Sequence, residues 1–301
     1  MAGAYTKVDL SQLAPPDVIE SLSFEAILAA MLADLHARDP AFTALVESDP
    51  AYKILEAAAY RELLIRQRVN DAAKAVLVAY AVGADLDQIA ANYDVARLLI
   101  TPADNTTIPP TAAVWESDDD FRVRIILSLE GYTTAGSKGS YIFHAMSASA
   151  DCKDIGIPSP PITPGVVNVA VLSRTGNGEA PAGTIAAVVN ALNAEIVRPL
   201  CDTVSVSSAT VVNYAITAAL TLFPGTAQAE VLAAVQASAA EYAATQHKLG
   251  RDITLSGIYA ALHLPGVQKV ALTSPSADIV NGWNQAPWCT AITITVSGTG
   301  E

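Results

Sequence analysis

The sequence predicts an α+β protein: an N-terminal helical bundle followed by two small mixed α/β domains with short sheets. Three features carry this reading. Apolar residues recur at helical spacing in two stretches between Phe24 and Ala79. A charge-free run, Thr203–Ala229, alternates with period two, so Val212, Tyr214, Ile216, Ala218, Leu220 and Leu222 share one face of a long strand. A small unit also occurs twice: a Tyr-bearing helix, a short strand, a Ser-Pro turn and a second strand rich in β-branched residues. The first copy runs from Ser140-Tyr141 through Asp151–Ile157 and Ser159-Pro160 to Val166–Leu172. The second runs from Gly257-Ile-Tyr259 through Gly266–Leu272 and Ser274-Pro275 to Ala291–Val296.

Residues 1–20, with Pro15-Pro16 and little periodicity, read as an arm. Ser23 is placed as an N-cap, with Ala26 where a capping-box Glu would stand. Phe24, Ile27, Leu28, Met31 and Leu35 follow as a helical stripe that Asp39-Pro40 stops. After a short apolar stretch, Phe42–Val46, Asp49-Pro50 opens the longest helix. Leu55, Ala58, Glu62, Ile65, Val69, Ala72, Val76 and Ala79 are spaced alternately by three and four, the spacing of a coiled-coil seam. At about 1.5 Å per residue that seam would run roughly 36 Å. Glu62, its one charged member, reads as a splayed seam end, or more sharply as a polar contact setting register with another chain.

A short helix at 85–98 precedes Pro102, Pro109 and Pro110, which mark residues 101–114 as a linker. Ser117 caps the next helix, with Asp118, Asp119 and Asp120 facing the positive end of its dipole. Phe121, Ile125 and Leu129 form its stripe, and Gly131 ends it. After the first repeat unit come a Gly-Asn turn at 175–181, a helix over 182–198, strands at 202–206 and 211–223, and an Ala-rich helix over 226–247. The expected divisions are 1–100, 101–205 and 206–301.

Composition narrows the function. The chain of 301 residues is 51% hydrophobic, ample for buried cores, with only 16% charged and 6% aromatic residues. Small, weakly charged surfaces suit a subunit covered by neighbours. The net charge of −13 disfavours nucleic acid and anionic membrane, because the densest basic stretch, Arg61, Arg66, Arg68 and Lys74, is interrupted by Glu62 and Asp71. Cys152, Cys201 and Cys289 lie too far apart for a zinc motif, and their odd number argues against a disulfide framework. The N-terminal residues lack an apolar signal core.

No motif supplies chemistry. His36, His144, His247 and His263 are scattered, without metal-ligand spacing. Three consecutive carboxylates at 118–120 point in three directions on a helix and cannot share one ion. Gly136-Ser-Lys-Gly-Ser only echoes a phosphate loop and reads as the entry to the Tyr141 helix. No catalytic, cofactor or metal residue is therefore assigned.

From about Leu86 onward the chain resembles the baseplate J-like family of contractile tails, found in myophages and R-type pyocins. The resemblance is carried by the order of several stretches: Leu86–Leu98, Glu116–Ile125, Thr134-Ala-Gly-Ser with Tyr141 and Ala145, Lys153-Asp-Ile with Pro164–Val169, Arg198–Val206, and Gly266–Val270 with Pro275–Asp278. Cys152 replaces the usual apolar residue before Lys153-Asp154, a volume-conserving exchange. The resemblance implies a structural wedge subunit with no catalytic residues. It would assemble around a central hub and spike with a second J-like copy, a tail protein I-like subunit and the sheath initiator. Its N-terminal helices would bundle along the 55–79 seam, and its C-terminal unit, through Tyr259, Leu262 and His263, would join neighbours into a ring whose rearrangement releases sheath contraction. The expected location is the tail baseplate of a phage or bacteriocin particle, assembled in the bacterial cytoplasm. Two other classes make different demands. An adaptor linking tail fibres to the baseplate needs an exposed aromatic patch, for which Trp283 and Trp288 in the 276–290 loop are the candidates. A hydrolase with a dispersed site needs a concave cluster of carboxylates or histidines.

Overall fold

The computed structural model describes residues 10, 13–42, 45–133 and 135–300. Most of the N-terminal arm's first twelve residues, two residues of the 42–46 stretch and Thr134 lie outside the described residues. The chain divides into two compact units, residues 7–96 and residues 97–301. Its architecture is α+β, with helices and, among the described residues, three small sheets.

In the first unit, helix α1 (Phe24–Arg38) begins at Ser23, whose hydroxyl accepts from Ala26 N. Helix α2 (Pro50–Ala75) begins at Asp49, whose carboxylate accepts from Ala51 N at 2.9 Å, with Pro50 supplying a preset φ. Ile27 and Leu28 of α1 and Ala59 of α2 form a buried cluster with Phe24, Met31, Leu32, Tyr52, Leu55 and Leu63. Helix α3 (Gly83–Ala91) buries Leu86 and Ala90.

Helix α2 stops four residues short of the expected seam end. Val76 leaves helical geometry, and the chain tightens into turns closed by Leu77 N to Lys74 O and Tyr80 N to Leu77 O. Val76, Val78 and Val82 lose side-chain freedom in a helix, and the Tyr80 hydroxyl donates to Leu13 O, which holds the turn in place. Val76 and Ala79 therefore lie beyond the helix.

The second unit opens with strands β1 (Leu99–Thr101) and β2 (Val114–Trp115), an antiparallel pair where a linker was expected. Turn chemistry between the prolines explains the difference. Asp104 and Thr111 exchange backbone hydrogen bonds, while the Asp104 carboxylate accepts from the backbone and hydroxyl of Thr106.

Helices α4 (Asp118–Gly131) and α5 (Lys138–Ala148) pack beside strands β3 (Cys152–Gly156) and β4 (Val166–Ser173), helix α6 (Ala182–Leu192) and strand β5 (Thr203–Ser208). The sheet order is β3-β4-β5, antiparallel then parallel, with α6 as the crossover. Helix α6 ends earlier than expected because the Asn193 side chain donates to Val189 O at its C-terminus.

The last sheet is built from β6 (Thr210–Leu222), β7 (Val267–Ser274) and β8 (Gln285–Thr299), with helices α7 (Gln228–Gln246) and α8 (Leu255–Leu262) on one face. Its order is β7-β6-β8, with β6 antiparallel to β7 and parallel to β8. Tyr214, Ile216, Ala218, Leu220 and Leu222 are buried at alternate positions, as the period-two pattern requires. Strand β8 starts within the stretch expected to be a polar loop, because Gln285–Cys289 pairs in register with Thr210–Tyr214.

The doubled unit is thus realised twice with different pairing. Both Ser-Pro bonds, Ser159-Pro160 and Ser274-Pro275, are cis. In the first copy the two strands pair with each other; in the second, β7 and β8 flank β6. Strand β5 passes into β6 through Ala209, whose N–H donates to Val171 O, while Thr210 N donates to Asn284 O. Leu172, Ala209 and Ala286, with Leu249, form the apolar junction of the two sheets.

Candidate interaction surfaces

Helix α2 carries two apolar faces. One, built by Tyr52, Leu55, Ala59 and Leu63, packs on α1. The other, about a third of a turn away, is an exposed stripe of Ile54, Ala58, Ile65, Val69 and Ala72. Ile65 is 65% and Val69 56% exposed, large values for β-branched apolar side chains. The predicted seam therefore divides. Leu55 lies at the intramolecular contact; Ala58, Ile65, Val69 and Ala72 face outward; Val76 and Ala79 fall in the following turns. Glu62 is half-buried and accepts two hydrogen bonds from Arg66, which also reaches Glu20. Asn70, unremarked in the sequence, is buried and holds the segment before α1 by accepting from Glu20 N and donating to Glu20 O.

The C-terminal candidates also divide. Tyr259 and His263 are exposed at the C-terminal end of α8, whereas Leu262 is wholly buried in the last sheet's core. Leu262 supports the helix from beneath and offers no surface. Trp283 and Trp288 are both half-buried, and Trp288 lies edge-on to His247 with centroids 5.0 Å apart.

The charged groups at the start of α4 are engaged in structure. The three carboxylates at the start of α4 diverge to three arginines: Asp118 to Arg97 at 2.7 Å, Asp119 to Arg122 at 2.7 Å, and Asp120 to Arg174. Beneath them Arg124 and Glu116 form a buried ion pair, Nε to Oε1 at 2.9 Å and the second guanidinium nitrogen to Oε2 at 2.9 Å. Arg124 also donates to Ser147, and Arg97 donates to Glu116 O while lying over the Phe121 ring. The spacing held a trace of this: Arg124 falls on the same helical face as Phe121, Ile125 and Ser128, where a charge needs a partner.

Burial lowers the affinity of His247 and His144 for a proton. At His247 Nδ1 lies 2.7 Å from Pro287 O, so the nitrogen donates and the ring is fixed as that tautomer. Burial pushes the Cys152 thiol up to about 12, which makes it inert packing. Ser137, inside the phosphate-loop echo, caps α5 by accepting from Ser140 N and donates to Glu130. Among the described residues no group of three His, Cys, Asp or Glu side chains could hold a metal, and no helix is long and apolar enough to cross a membrane.

Three family models match the chain in succession: the baseplate J-like N-terminal domain over residues 47–104, the baseplate J-like central domain over 133–208 and the baseplate J-like protein C-terminal domain over 214–295. The chain is 50% identical to "Baseplate protein J" of Escherichia phage P2 over 301 residues, spanning 98% of this chain and 99% of that protein. The chain belongs to the baseplate J-like family. A solved structure, the six-fold symmetrised cryo-EM structure of the anti-feeding prophage baseplate, shares 14% identity at a TM-score of 0.42. That match covers 61% of this chain and 44% of the other, a likeness too low to bear on the fold.

Proposed function

We propose that this chain is a non-catalytic structural subunit of a tail baseplate, and more narrowly a wedge subunit of a contractile injection tail of the phage or R-type pyocin kind. The observation that carries the reading is the open apolar stripe of α2, Ile54, Ala58, Ile65, Val69 and Ala72, in a family member half identical to a phage baseplate protein along its whole length. Covering such a stripe with a helix from another subunit removes apolar area at about 25 cal/mol per Å². In this reading α2 forms the seam of a helical bundle with a second J-like copy and a tail protein I-like subunit. The wedges gather around the hub and spike beneath the sheath initiator. The C-terminal unit joins neighbouring wedges, with Tyr259 and His263 at the contact. A contact there weaker than the bundle would let the ring rearrange while each wedge survives, and so release sheath contraction. The particle is built in the bacterial cytoplasm, and the chain resides in its baseplate.

The test is co-expression with the other tail proteins of the same particle, followed by native mass measurement. A stable heteromeric complex containing this chain supports the proposal. A chain that stays alone when every other wedge component is present overturns it.

A further inference from the structure

Among the described residues, the last sheet leaves one long edge unpaired. Strand β8 lies outside β6 in the order β7-β6-β8 and spans Gln285–Thr299 without a single charged residue. Edge strands in soluble proteins are ordinarily guarded by Lys, Pro or short length, because their free N–H and C=O groups template another strand. The opposite edge, β7, is shorter and carries Lys269. On β8 the only proline, Pro287, sits buried near the start, leaving Thr290–Ser297 unguarded. Along that run Ala291, Thr293 and Thr295 are exposed, while Ile292, Ile294 and Val296 turn toward the helix-covered core.

We infer that the free edge of β8 pairs antiparallel with the same edge of a second copy of this chain. This rests on the wedge-to-wedge contact proposed above and adds to Tyr259 and His263 of α8 a second surface, the edge of β8. Backbone groups along an edge call for an extended strand, and the chemistry of β8 is complementary to itself. In a two-fold antiparallel pair Thr side chains meet Thr across one face, and Ile and Val meet across the other, continuing both cores. Charge selects the same place. Each copy carries a net −13, so copies repel over most of their surface. The uncovered sheet face beside this edge, with Ala215 opposite Ala291, Thr217 opposite Thr293 and Ala219 between Ala271 and Thr295, presents no carboxylate. An eight-residue pairing is about 26 Å long at about 3.3 Å per residue, a modest contact, so the dimer depends on concentration.

The experiment is sedimentation equilibrium of the full chain over a range of concentrations. Ile65→Asp/Val69→Asp is present throughout, so that the α2 stripe cannot associate. The expected result is a monomer–dimer equilibrium that Thr293→Lys/Thr295→Lys abolishes and Thr293→Val/Thr295→Val retains, with thermal melting of the monomer unchanged by either pair. A monomer at every concentration, or a dimer that survives the two lysines, overturns the inference. Heteromeric assembly with tail proteins is measured separately. Its persistence beside a monomeric result would sink the β8 contact and leave the wedge reading standing.

Discussion

Arg124 on α4 and Glu116 just before it meet in a two-point ion pair whose side chains are 3% and 1% exposed. Leu98 N donates to the same carboxylate, and Arg97 donates to the Glu116 carbonyl, so the pair fixes the chain where it enters the second unit. Removing one partner leaves a buried charge without its counterpart. Glu116→Ala is expected to cost about 3–5 kcal/mol, read as a drop in the urea midpoint of the second unit's transition. An unchanged midpoint would mean that the pair is solvated in solution.

Leu262 and Tyr259 lie three residues apart on α8 with opposite surroundings. Leu262→Ala should destabilise by about 2–5 kcal/mol, because it opens a cavity in a packed core. Tyr259→Ala should stay within about 0.5 kcal/mol, as for other exposed positions. Paired thermal melts check both. A surface-like response at position 262 would contradict the burial of Leu262 in the last sheet's core.

Local chemistry was legible in the sequence; non-local pairing was not. Ser23 and Ser117 cap their helices as read, and Asp49 caps the helix that Asp49-Pro50 was expected to open, because a cap needs only a side-chain oxygen two or three residues before an N–H. The period-two run at 210–222 and the divergence of Asp118, Asp119 and Asp120 were equally local. The end of α2 escaped because Val76 satisfies a spacing pattern while disfavouring the helix that pattern presumes. Residues 101–114 looked like a linker because three prolines mask the Asp104 and Thr107 bonds that close the turn. Two copies of one unit could not announce that β6 would insert between the strands of the second. For the candidate surfaces, spacing located the α2 stripe but could not separate the residues packed on α1 from those left open.

Acid should weaken the fold through the buried His247 and the half-buried His144. His247 and His144 hold a proton less readily when folded than the ordinary value of 6.5, chiefly because burial penalises the charged ring. The unfolded chain therefore binds protons that the folded chain refuses, and stability falls as pH drops below about 6.5 and is regained above it. Urea melts at pH 7.5 and pH 5.5 should show that loss, and His247→Gln should shrink the difference between them. An identical pH dependence in the variant would show that His247 is charged or exposed in solution.

Cys152 should tolerate replacement. It is buried beside Tyr141, Ile155 and Val171 with its thiol held protonated. Cys152→Val is expected to cost less than about 1.5 kcal/mol, a volume-conserving exchange, and to leave assembly intact. A variant that folds normally but fails to assemble would assign the thiol a role beyond packing.

The α2 stripe decides whether this chain is an assembly subunit. Ile65→Asp/Val69→Asp changes two exposed side chains, so the isolated chain should melt within about 0.5 kcal/mol of the parent. The decisive measurement is native mass analysis of tail proteins co-expressed with this double variant. Loss of the heteromeric complex, with the variant recovered as a folded chain, is the predicted result. Complete complexes carrying the two aspartates would contradict the role given to α2.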